Sequence, residues 1–157
     1  LGFRARLRYF RHLITEEASR RPDQLFALND PRIIFVEAGP RRAWSRIASR
    51  EQERDPGLLL LDTERFVLLF EGDRDRYVIP LRSIIRCELE VTQINDTAGL
   101  YAVVLLLRVA SGVYELTISP LDGIAGANYT QKAETLHGML WDLRSVLDVP
   151  DEIPPSA

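Results

Sequence analysis

Apolar positions follow a helical period at both ends of this 157-residue chain and a strand period between them. At the start, Phe3, Leu7, Phe10 and Ile14 recur three to four residues apart, which predicts an amphipathic helix. Arg4, Arg8 and Arg11 line a neighbouring face, and Arg6 is also polar. Thr15 stands where it can cap a second short helical piece, TEEASRR, which Pro22 ends or redirects. DQLFALND is ambiguous between a loop and another helical turn. RIIFVEA, residues 32–38, is rich in β-formers and stops at the breaker Gly39-Pro40. The polar stretch that follows carries Trp44, Ile47 and Ala48 at helical spacing, which predicts a short helix inside a long loop.

From Gly57 onward the pattern is that of strands, placed near 58–62, 65–71, 76–80, 85–93, 100–110 and 112–119. Turn chemistry separates them: Asp62-Thr63-Glu64, Gly72-Asp73, Pro80 through Ser83, Asn95-Asp96 and Ser111-Gly112. In RCELEVTQI, Cys87, Leu89, Val91 and Gln93 fall on one face and Glu88 and Glu90 on the other, as in a sheet with one wet side. Connections this short favour antiparallel neighbours. After the loop LDGIAGA, Asn128 and Gln131 have the spacing of a capping box, and Ala133, Leu136, Leu140, Leu143 and Leu147 form the stripe of a long amphipathic helix. The tail at 149–157 is proline-rich and acidic and is expected to be extended or disordered.

Composition narrows the class. A 46% hydrophobic content supports one compact core with terminal appendages. No apolar run approaches the roughly 20 residues that span a bilayer. The single cysteine, Cys87, excludes an internal disulfide framework and a cysteine-based zinc site, and suits a reducing compartment, although a disulfide-free exported domain reads the same way. The chain starts at Leu1 without methionine, so a trimmed or processed fragment is expected. Charge is split: residues 1–50 hold eleven arginines against five acids (+6), and the remainder nine basic against eighteen acidic groups (−9). One end therefore faces an anionic partner, or the two halves face each other.

Seven strands followed by one long helix resemble the pleckstrin-homology (PH) superfold. Within them, GLLLLDTERFVLLFE and then YVIPLRSIIRCELE look like the GRAM-like and bacterial PH-like pattern, G-x-L-x-L-T-x-x-R-hydrophobic, a hairpin, then I-P-L-x-x-I and an acidic-apolar strand. Gly57, Leu59, Leu61, Arg65, Ile79, Pro80, Leu81 and Ile84 occupy its positions, while Asp62-Thr63-Glu64 departs from the usual Thr-Asn or Thr-Asp turn one place earlier. The resemblance covers about residues 32–148. It implies a mainly β fold: a seven-stranded bent antiparallel barrel capped by a long C-terminal helix, with 1–31 as a basic helical extension. It says little about activity, because the superfold hosts many functions.

Two arginine groups are the candidate binding residues. Arg41, Arg42, Arg46 and Arg50, with Trp44 among them, sit in the first inter-strand connection, where lipid-binding PH domains hold phosphoinositide headgroups. A guanidinium fork suits phosphate. The family motif, however, places its basic residues at the start of the second strand, here Leu58–Leu61, so the alternative is a solvated loop with Trp44 packed on the barrel. Arg4, Arg8 and Arg11 suit a basic amphipathic helix on an anionic membrane surface, each worth about 1 kcal/mol there. The alternative is a helix docking Phe3, Leu7 and Phe10 on the barrel or on another subunit.

No catalytic set stands out. His12 and His137 are far apart, Cys87 alternates with core positions, and the Asp73/Asp75 pair alternates with Arg74 and Arg76 as in a charged hairpin turn. Gly123-x-x-Gly126 lacks a phosphate-loop ending. The expectation is a non-enzymatic module with no cofactor or metal, cytoplasmic and at the inner face of a membrane. It contacts anionic phospholipid or a membrane-associated partner. The alternative is a protein-interaction or self-assembly domain. Nucleic acid is not an expected partner, because the barrel half is acidic.

Overall fold

A computed structural model describes residues 3–40, 54–93, 99–121 and 134–138. The protein is mainly β. Helix α1 (Phe3–Ser19) precedes seven strands: β1 (Ile34–Pro40), β2 (Asp55–Asp62), β3 (Val67–Gly72), β4 (Arg76–Pro80), β5 (Ile84–Gln93), β6 (Gly99–Val109) and β7 (Gly112–Pro120). They form one antiparallel sheet in the order β4-β3-β2-β1-β7-β6-β5. The sheet is not closed: β4 and β5 are its edges, joined in sequence by the 3-10 turn Leu81–Ser83. Residues 134–138 are helical, within the span that the sequence predicts as one long helix. The remainder of that span, with Asn128 and Gln131, lies outside the described residues.

Four consecutive leucines, 58–61, are all buried, which the two-residue period of a strand with one wet face does not allow. The resolution is that this half of the sheet is covered on both sides. Leu59 and Leu61 point into the main core with Val36, Ala38, Leu68, Phe70, Ile79 and the β5–β7 residues Ile84, Cys87, Val103, Leu105, Leu116 and Ile118. Leu58 and Leu60 point the other way, into a second core with Phe35 and Leu69. Ile14 of α1 and Phe26 and Ile33 of the following connection close that second core. The later part of the segment read from the sequence as an extension, from Ile14 on, thus covers the outer face of the β1–β3 sheet.

Several boundaries shift for identifiable reasons. Thr15 does not cap a second helix: its hydroxyl donates to the Arg11 carbonyl one turn back at 2.7 Å, and α1 runs unbroken to Ser19. Gly39-Pro40 does not end β1, because both residues pair with β7, Gly39 opposite Thr117 and Pro40 opposite Leu116. On the far side, β2 begins at Asp55, with Pro56 opposite Glu37 and Gly57 opposite Val36. The predicted strand at 65 starts instead at Val67. Asp62 Oδ1 accepts the N–H groups of Glu64 (3.1 Å) and Arg65 (3.0 Å), and Phe66 adopts a left-handed φ of 53°. Arg65 Nε closes the same turn on Asp62 Oδ2 at 2.7 Å.

Gly57 is required by contact. A Cβ there would lie 2.5 Å from the Phe70 ring and 2.6 Å from the Glu71 carbonyl oxygen. Phe70 in turn stacks on Tyr77, ring centroids 5.6 Å apart.

Candidate functional site

Among the described side chains of helix α1, the buried ones lie toward its C-terminal end. Ile14 and Ala18 are buried, whereas Tyr9 is 60% exposed and Phe10 52%, and Leu13 is also exposed. Phe10, one of the three apolar residues expected to dock, is therefore exposed, while the side chains of Phe3 and Leu7 lie outside the described residues. Arg6 and Arg8 are exposed beside these aromatics, and Arg11 is half-buried. Arg4 lies on α1 by backbone. Arg41, Arg42, Trp44, Arg46 and Arg50 lie outside the described residues.

The charges on α1 run against its dipole. No acid occupies the first turn and no base the last, while Arg4, Arg6, Arg8 and Arg11 crowd the N-terminal half and Glu16 and Glu17 sit near the C-terminus. A helix N-terminus already carries about half a positive charge, so local stability favours acids there. The arginines add to that potential and expose it beside two aromatic rings. Near the other end, His12 and Glu16 pair at 3.1 Å and Arg20 and Glu17 at 3.5 Å, so the acids there are engaged within the helix and its flank.

What anchors this helix was not legible in the sequence. Glu71 of β3 is fully buried and accepts four hydrogen bonds: from Arg21 Nη1 (2.6 Å), Leu25 N (2.7 Å), Arg76 Nη2 (2.8 Å) and Arg76 Nε (3.0 Å). Arg21 also donates to the Gly72 carbonyl at 2.6 Å, and Arg76 reaches Asp23 Oδ2 at 2.9 Å and the Asp23 carbonyl. The residues just after α1 are thereby clasped to the β3–β4 hairpin. Burial alone would raise the Glu71 carboxyl, yet Arg76, the Leu25 N–H and Arg21 hold it below the ordinary glutamate range. The signal in the sequence was faint: a glutamate at the inward-facing end of VLLFEG, with arginines 50 residues upstream and five downstream.

A second buried acid, Asp55, shapes the same hairpin. Its carboxylate accepts Asp75 N at 2.7 Å and Arg74 N at 3.0 Å. Burial pushes its carboxyl upward, opposed by those N–H groups. The Asp/Arg alternation is thus a turn organised from β2. Asp30, half-buried and held by Arg32 through 2.8 and 3.1 Å hydrogen bonds, is lowered to about 2.

The remaining chemistry-bearing residues are engaged or buried. His137 Nε2 lies 3.0 Å from the Cys87 carbonyl, tying the 134–138 helical stretch to β5, and Leu136 beside it enters the main core. Cys87 is itself buried. Among the described residues, no group of three or more histidines, cysteines or acids stands where it would hold a metal ion, and no helix is long and apolar enough to cross a membrane. No protein-family model, no curated protein and no solved structure matches the chain.

Proposed function

We propose that this chain is a non-enzymatic, PH-like binding module of the GRAM-like type that works at an anionic membrane surface. The strand order supports the fold reading: β1–β4 follow one another in sequence order, the chain then returns through β5–β7, and the last strand pairs with the first. A barrel capped by a long helix over 128–147 is part of the same proposal. The observation that carries the membrane reading is α1. Arg4 and Arg6 sit in its first turn, at the positive end of its own dipole and at a local cost, and Arg8 is exposed beside exposed Tyr9 and Phe10. Arg41, Arg42 and Arg46 of the β1–β2 connection would add to the same contact.

Co-sedimentation with vesicles tests this. Phosphatidylserine-containing vesicles are expected to bind the chain well above neutral phosphatidylcholine at low salt. Reversing Arg6 and Arg8 together to glutamate should cut that binding by at least about tenfold, given about 1 kcal/mol per arginine near such a surface. Equal binding to both vesicle types sinks the lipid reading. The open edges β4 and β5 favour a second reading, a domain that recruits a partner strand or a second copy. Concentration-dependent sedimentation would support it.

A further inference from the structure

The exposed face of α1 is ordered in both polarity and charge. Arg6, Phe10, Leu13 and Glu17 follow one another at steps of four, three and four residues, so they form one stripe along the helix, with Tyr9 at its side. All five side chains are exposed. The stripe is cationic at its N-terminal end, apolar in the middle and anionic at its C-terminal end. Among the described residues Arg6 has no ion-pair partner. Glu17 pairs with Arg20 at 3.5 Å, a contact between two exposed side chains that contributes little. Beside the stripe, Phe10, Leu13, Glu17, Pro56 and Asp73 wall a groove of about 370 Å³, which leaves room for a second element against the helix.

We infer that α1 pairs with α1 of a second copy of this chain, antiparallel about a two-fold axis. The charge order selects this occupant. An antiparallel register that sets Phe10 against Leu13 of the second copy also sets Arg6 against its Glu17, because both pairs are centred midway between positions 11 and 12. Two-fold symmetry then makes each contact twice. A parallel pair would instead place arginine beside arginine and glutamate beside glutamate. The antiparallel register also sets the two helix dipoles head to tail, so the positive potential at one N-terminus meets the carboxylate and the negative end of the other helix. The charge order that opposes the dipole within one helix becomes favourable when two copies meet. This inference does not rest on the membrane reading, and either can fail alone. An anionic surface calls on the arginines; the helix pair calls on Arg6 and Glu17 together.

Sedimentation velocity on the whole chain tests it. The mass is expected to shift from monomer to dimer between about 1 and 100 μM, the weak range that suits a contact of about three helical turns. Arg6→Glu alone and Glu17→Arg alone should each weaken the dimer by at least about tenfold, since either one puts two like-charged pairs into the seam. Both substitutions agree with the helix dipole, so neither weakens α1 itself. Mixed in equal amounts, the two variants should associate again as a heterodimer, because the two substituted positions then face each other with opposite charge, as do the native Arg6 and Glu17. Phe10→Ser, at an exposed position, should abolish the dimer and not be rescued by either. Glu17→Arg should lose the dimer yet leave binding to phosphatidylserine vesicles undiminished, which separates this pairing from the membrane reading. A chain that stays monomeric to about 100 μM, or variants that do not associate on mixing, overturns the proposal. So does a dimer indifferent to all three substitutions, which would place the contact on the open sheet edges.

Discussion

Glu71 brings a full charge into the interior, and four hydrogen bonds make that tolerable. Replacing it by glutamine keeps the volume but turns an N–H₂ toward donors that already point inward. Arg21 and Arg76 are 20% and 28% exposed, so they rehydrate in part. Glu71→Gln is therefore expected to cost about 2–4 kcal/mol at neutral pH, measured by urea unfolding. The pH dependence has a definite sign. Because the folded carboxyl lies below its unfolded value of 4.5, its contribution is full above that pH and is lost as pH falls through the folded value. The stability gap between wild type and Glu71→Gln should close in acid. Asp55 acts the other way: its folded value is raised, so its contribution is largest in acid and is lost as pH rises through that value. Comparing the two proteins isolates Glu71, since Asp55 is common to both.

The strand β2 divides its four leucines between two cores. Leu59→Ala and Leu58→Ala are each expected to cost about 2–5 kcal/mol, the usual range for a buried leucine. They should differ in their coupling to α1. Leu58 shares its core with Ile14, whereas Leu59 faces the β5–β7 half. In a double-mutant cycle with Ile14→Ala, Leu58→Ala should be non-additive by more than about 0.5 kcal/mol and Leu59→Ala additive. Additivity for both would mean that α1 does not close the second core. The strands themselves were legible because alternation and turn residues are local properties. Their ends were not. Gly39, Pro40 and Pro56 read as breakers, and only their pairing partners on β7 and β1 keep them in the sheet.

For the molecule as a whole, the N-terminal segment is a structural layer as well as the candidate binding surface. Removing residues 1–31 would uncover Leu58, Leu60, Leu69 and Phe35 and leave Glu71 beside Arg76 alone. The loss of the buried Ile14 and Phe26 side chains and of half the clasp is on the order of 5 kcal/mol or more. That is comparable with the whole stability of a small domain. The truncated chain is therefore expected to aggregate or to unfold without a cooperative transition, which circular dichroism and sedimentation would show. A soluble, cooperatively folding 32–157 would instead make the segment a removable appendage.

By itself, the sequence determined the mainly β class, the number and order of the strands and the core position of Cys87, because period, turn chemistry and apolar content are encoded within a few residues. It also displayed the arginines of α1, though not which turns of that helix dock. The tertiary structure decided the rest. That Leu58 and Leu60 have their own core, that Glu71 is paired with Arg21, and that Val78 meets Val109 and Tyr114 across one groove are relations between residues roughly 30–50 positions apart. Such pairings follow from how the sheet folds back and is covered, and no local pattern records them.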